Sequence, residues 1–229
     1  MKTKTKQKDA KKILSDLTQW FVRFRNDDII NNKQWKDIKT EKIRLIIVGD
    51  NPGKEEKVQG NYLIGSSGQQ LRNFLRDELK IKVDTEVMYL NKTPIHTVST
   101  NDLKNYRDSE LLNKTQKRMA EDIVAIHEAL EGINKDIQLW IIGKSQLKKG
   151  KIFESFSDSI LSSYSTSGHE KLFKNLMVYS HFSYGNFYRE LNKLPQNMKT
   201  KEKLYKIGRE NRDKVFNRFP LFFLLNSTK

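Results

Sequence analysis

A chain of 229 residues with 36% hydrophobic residues and a formal net charge of +15 has the size of one domain with terminal extensions, and its charge calls for a polyanionic partner. The absence of cysteine excludes disulfides, thiolate nucleophiles, Cys-ligated zinc and iron–sulfur clusters. No apolar run is long enough to span a bilayer and no apolar segment follows the Lys-rich start, so a cytoplasmic protein is expected. A Lys- and Asn-rich composition is also what an AT-rich genome encodes, which is the competing account of part of the excess charge. Nucleic acid is the partner expected for the rest.

In chain order, residues 1 to 10 read as a basic polar arm. Ile13, Leu14, Leu17, Phe21 and Phe24 then recur at helical spacing. Four apolar runs predict buried strands: Ile43 to Val48, Glu86 to Leu90, Gln138 to Ile142 and Leu176 to Ser180. Between the first two, Gln69 to Leu79 places Leu71, Phe74, Leu75 and Leu79 on one helical face, with Ser66 or Ser67 as N-cap. Between the second and third, Thr115 to Leu130 carries the stripe Met119, Ile123, Ile126 and Leu130 of a crossover helix. Lys151 to Lys171 is Ser-rich and reads as a short helix followed by a mobile loop. Lys199 to Phe216 predicts a charged helix, and Arg218 to Leu225 an apolar plug docked on the domain. The order implies a three-layer α/β/α fold with a central four-stranded parallel sheet. It forms a single domain with a core at about 41–190, an N-terminal helix and a C-terminal helical extension.

Open parallel sheets bind ligands beyond the carboxyl ends of their strands. The residues there are Gly49-Asp50-Asn51-Pro52-Gly53, Asn91-Lys92-Thr93-Pro94, Gly143-Lys144-Ser145 and His181-Phe182-Ser183. Two glycines and a proline in one loop after a strand bring backbone N–H groups close to a ligand.

In Ile46-Ile47-Val48-Gly49-Asp50-Asn51-Pro52-Gly53, followed by Gly60-Asn61-Tyr62-Leu63-Ile64-Gly65-Ser66-Ser67-Gly68-Gln69-Gln70-Leu71, the sequence resembles the uracil-DNA glycosylase superfamily. Asn91 resembles its uracil-reading Asn, and His181-Phe182-Ser183 its His-Pro-Ser motif. The resemblance runs from about Ile43 to Gly185. It implies hydrolysis of the N-glycosidic bond of uracil or a related deaminated base in DNA, single-stranded or mismatched, by a monomer without cofactor or metal. The flipped base leaves the stack at a cost of about a few kcal/mol. An Asn amide then matches uracil O4 and N3–H.

The resemblance implies that Asp50 or Asn51 directs a water and that His181 donates to uracil O2. Glycosylases with a Gly-Glu-Ala-Pro-Gly pattern have their acid at the position of Asp50, and those with Gly-x-Asn-Pro-Gly use the position of Asn51. Gly49, Pro52, Gly53, Gly60, Tyr62, Leu63, Asn91 and Ser183 are the implied substrate-binding residues. Leu63 stands where the family has its stacking aromatic, leaving Tyr62 to supply a π face. Phe182 replaces the proline, and Gly185 the apolar wedge, for which Tyr184, Phe182 and Phe187 are candidates. Lys54, Lys92, Lys144 and Tyr184 are the expected DNA contacts, joined by Lys57, Lys148 and Lys149. His96, His127 and His169 show no metal-ligand spacing.

Two alternatives remain open on the sequence. One is a non-catalytic nucleic-acid-binding protein with a glycosylase-like fold, motivated by Leu63 and Phe182. The other is a phosphoester hydrolase, which lacks both a Walker signature and a carboxylate cluster for metal.

Overall fold

The computed structural model describes residues 9–165 and 169–217. The first eight residues of the basic arm and the apolar plug from Arg218 onward lie outside them. Helix α1 (Ala10–Val22) is capped by Asp9, whose carboxylate accepts from Lys11 N–H, and buries Ile13, Leu14, Leu17 and Phe21. Phe24 lies beyond the helix end, where it meets Trp20 edge-on.

The four strands are β1 (Leu45–Gly49), β2 (Val87–Asn91), β3 (Gln138–Ile142) and β4 (Leu176–Tyr179). They pair in parallel in the order β2-β1-β3-β4. Nearly every strand residue is buried, as a sheet covered on both faces requires. The first strand starts two residues later than its apolar run, because Ile43 ends a 3-10 turn over Thr40–Lys42 by donating to Thr40 O.

Helices α2 (Lys54–Gln59) and α3 (Ser66–Asp77) connect β1 to β2, and α4 (Ser109–Glu131) returns to β3. Helices α5 (Glu154–Tyr164) and α6 (Glu170–Phe173) precede β4, and α7 (Asn186–Leu191) and α8 (Thr200–Phe216) follow it. Helix α4 starts six residues before the expected Thr115, because Asp108 caps it through Leu111 N–H. Helix α3 is not capped by Ser66 or Ser67; Gly65 is the cap residue, and the Glu56 carboxylate takes the N–H groups of Ile64 and Gly65.

The chain moves to one side of β1 to make β2, then crosses back to make β3 and β4. Right-handed crossovers therefore send α3 to one face and α4 and α5 to the other. The packing agrees: α4 lies against α1 and α5. On the opposite face Phe74 of α3 meets Phe187 of α7, and α8 covers β4. The direction of winding reverses between β1 and β3. That reversal opens a crevice between their carboxyl ends.

Candidate active site

Asp50 follows β1 at this crevice and is 9% exposed. Its carboxylate lies against Gly143 at the end of β3, where an added Cβ would come within 2.5 Å of Oδ1. Gly143 has φ +89°, so a side chain is disfavoured there on both counts. Among the described residues, Lys92 is the hydrogen-bond donor to that carboxylate, with Nζ at 2.5 Å from Oδ1.

Asn51, the neighbour that rivals Asp50 on sequence grounds, is engaged at both ends of its amide. Nδ2 donates to Thr97 Oγ1 at 2.9 Å and to Pro52 O at 3.3 Å, while Oδ1 accepts from Thr100 Oγ1 at 2.9 Å. His96 Nδ1 adds a bond to Pro52 O at 3.0 Å, and Thr97 N–H another at 3.3 Å. The loop after β2 is thus stitched to the loop after β1.

Asn91 ends β2, directly opposite Gly49 in the ladder. It is 1% exposed, and its Oδ1 is a buried acceptor without a partner among the described residues. An unmet buried acceptor costs about 1–3 kcal/mol, a penalty that a ligand N–H removes. A Cβ on Gly49 would stand 2.6 Å from this oxygen and 2.9 Å from Leu63 Cδ2. Gly49, Asn91 and Leu63 therefore form one wall, closed to any larger residue at position 49.

Leu63 has φ +54°, a conformation costing a non-glycine residue about 1–2 kcal/mol. It is over-determined. Arg72 Nε donates to its carbonyl at 3.0 Å while the guanidinium lies 4.1 Å over the Tyr89 ring. Gly68 packs so closely on the Leu63 backbone that a Cβ would fall 2.1 Å from its oxygen.

Glu56 joins the first two loops, taking Gly53 N–H at 3.1 Å on Oε2 and the N–H groups of Ile64 and Gly65 on Oε1. Glu56, Arg72 and Gly68 are the residues that sequence reasoning missed. The approach of Gly68 to another backbone was legible only as a glycine at the start of a helix.

His181 follows β4 and is half-buried. Its Nδ1 receives the Ser183 backbone N–H at 3.1 Å, with Ser183 Oγ at 2.7 Å. A backbone N–H can only donate, so Nδ1 is the bare nitrogen and Nε2 carries the proton. Burial holds the imidazole below its usual pKa, with Asp50 raising it and Lys92 lowering it. At neutral pH His181 is therefore an uncharged donor through Nε2–H.

Several sequence expectations are corrected. Tyr62 offers no π face to a ligand: it is 0% exposed, donates its hydroxyl to Ile30 O at 2.6 Å and packs edge-on against Trp35. Lys92 is 0% exposed and cannot reach a phosphate. Lys144 is bound to Glu190 and to Asn211 Oδ1, tying the end of β3 to α7 and α8. Gly60 closes α2 at φ +68° against the Lys33 side chain.

Phe182 and Phe187 stack on each other at 4.0 Å in the core, which removes both as wedges. The backbone of Tyr184 lies in the turn Ser183–Gly185; its side chain lies outside the described residues. Lys54, Lys148 and Lys149 are exposed, and Lys57 pairs with Asp28 at 3.3 Å.

Fold and site together define an α/β protein of the open-sheet class whose strand ends around the switch point carry an amide, a carboxylate and an imidazole. The model of the uracil DNA glycosylase superfamily matches residues 36–206, and the chain belongs to that superfamily. Membership gives it a glycosylase-type function with DNA as partner. No curated protein matches the chain.

Proposed function

We propose that the protein is a monofunctional base-excision glycosylase that hydrolyses the N-glycosidic bond of uracil, or a related deaminated base, in DNA. The observation that carries this reading is the buried, unpaired Asn91 Oδ1 at the crevice that also holds Asp50 and His181. An acceptor so placed suits the N3–H of uracil. Cytosine presents a lone pair at the same position and is repelled.

Departure of the base leaves positive charge on the sugar and negative charge on uracil O2. A carboxylate near the sugar and a preorganised donor near O2 stabilise both. Asp50 is assigned the first role, as the group that orients or deprotonates the attacking water. His181 Nε2–H is assigned the second. Asn51 is assigned the task of locking the loops after β1 and β2 together, since its amide is occupied. Exposed Lys54 supports a contact to a flanking phosphate.

The test is base release from single- and double-stranded oligonucleotides carrying uracil, hypoxanthine or xanthine. Abasic sites are expected with at least one of them, and an absence of release from all sinks the proposal in favour of a non-catalytic DNA-binding protein. In the same assay Asp50→Asn is expected to lower the rate about 10²–10⁴-fold. Asn51→Ala is expected to act mainly through stability, costing about 1–2 kcal/mol in urea unfolding. The reverse ranking of the two rates transfers the water to Asn51.

A further inference from the structure

The proposed chemistry uses Asp50, Asn91 and His181 and leaves Lys92 without a task. Yet Lys92 is fully buried, with its ammonium at the middle of the site. Lysine is seldom buried completely, because an ammonium taken out of water must be paired and have its N–H groups bonded. Here Nζ faces three oxygens: Gly49 O at 3.2 Å, Asp50 Oδ1 at 2.5 Å and Ile142 O at 2.5 Å. The Phe153 ring centroid lies 5.0 Å away. A neutral amine has two N–H bonds and an ammonium three, so three converging acceptors fit the ammonium beside an ionised carboxylate. The side chain also runs from the end of β2 to carbonyls of β1 and β3, which places it beneath the crevice at the point where the winding reverses.

We propose that Lys92 is a positioning residue of this site: its buried ammonium aims the Asp50 carboxylate into the crevice and balances its charge beside His181. The proposal rests on the glycosylase reading above. The charged and titratable groups facing Asp50 among the described residues are Lys92, after β2, and His181, after β4. The end of β3 contributes Gly143, and Lys144 is turned onto Glu190.

In the proposed reaction Asp50 works ionised and His181 works neutral. Without the ammonium the imidazolium forms more readily, since Lys92 lowers the His181 pKa and Asp50 raises it. That change moves the acid limb of the rate–pH profile to higher pH.

In single-turnover assays on a uracil-containing oligonucleotide, Lys92→Met is expected to slow cleavage about 100-fold at pH 7 and to raise the acid limb by about one unit. DNA affinity is expected to stay within about threefold, because Lys92 touches no phosphate. A wild-type rate with an unmoved acid limb overturns the proposal.

A wild-type chain that releases no base refutes the glycosylase reading instead. The His181 ring titration, followed by NMR, then decides the role of Lys92: a higher midpoint in Lys92→Met supports it and an unchanged midpoint overturns it. Should Lys92→Met fail to fold with Asp50 buried and unpaired, Asp50→Asn is compared with Asp50→Asn/Lys92→Met, neither of which carries that carboxylate. The double variant is expected to titrate His181 at the higher pH, and equal midpoints overturn the proposal.

Discussion

His127 and His181 sit in two different regions of the molecule and have the same tautomer and a basicity lowered by burial, but their ring nitrogens meet different partners. His127, in the core between α4 and α5, is fully buried. Its Nε2–H donates to Ile137 O at 3.2 Å, and its Nδ1 accepts from Tyr164 Oη at 2.7 Å. Both ring nitrogens are satisfied. His181 spends Nδ1 on Ser183, and among the described residues nothing accepts its Nε2–H. Burial lowers the pKa of both rings, so a depressed pKa does not separate a structural histidine from one available to a ligand. The unspent donor at a strand end does.

The sharpest way to break that comparison is to delete each ring in turn. His181→Ala is expected to reduce single-turnover base release about 10²–10³-fold, the usual effect of losing one donor to a developing anion, with little change in the urea midpoint. His127→Ala is expected to do the opposite. It leaves Tyr164 Oη and Ile137 O unmet in a cavity, for a loss of about 3 kcal/mol, while the folded fraction cleaves at the wild-type rate. Equal effects of the two variants on either measurement dissolve the distinction.

Acid titration probes the buried ring of His127 a second time, with a similar energy. The His127 pKa is pushed down from 6.5 to about 4, first by burial, against the Ile137 hydrogen bond and with help from His169. The unfolded chain therefore takes up the proton before the folded one. Stability present above pH 6.5 is lost progressively as the pH falls towards 4, by about 3 kcal/mol. Urea midpoints measured across that window are expected to drop in the wild type and to drop less steeply in a folded His127→Gln variant. The same slope in both assigns the acid sensitivity elsewhere.

Much of this was legible in the sequence, for identifiable reasons. The strands show because they are buried on both faces and so are continuous apolar runs, and β3 coincides with its run. The placement of Asp50, Asn91 and His181 at strand ends shows because they close or follow those runs, at the edge where open sheets bind ligands. Helix α2 does not show, because Lys-Glu-Glu-Lys-Val-Gln has no apolar face and its Val58 is 78% exposed. Lys92 and Glu56 were illegible for a related reason: charged residues read as surface, and only the acceptors around Lys92 and the three N–H groups around Glu56 account for their burial. The choice between Tyr62 and Leu63 turns on one backbone angle. With φ +54° at Leu63, it is the leucine that faces Gly49 while Tyr62 is sunk in the core, and a positive φ at a leucine has no sequence signature.

The smallest expected effect probes how His181 is held. Ser183 meets Nδ1 twice, through its backbone N–H and its hydroxyl, and only the backbone bond fixes the tautomer. Ser183→Ala removes the hydroxyl and keeps the N–H, so Nε2 keeps its proton while the ring gains freedom to tilt. A loss of about threefold to tenfold in rate is expected, about 0.7–1.4 kcal/mol in the barrier, with an unchanged acid limb. Ser183→Pro deletes the backbone donor as well. Its rate is expected to fall towards that of His181→Ala, because Nδ1–H becomes an available tautomer and Nε2 then presents a lone pair to the developing anion. If Ser183→Ala alone is as slow as His181→Ala, the hydroxyl and not the backbone sets the ring, and the argument for a neutral Nε2–H donor loses its structural footing.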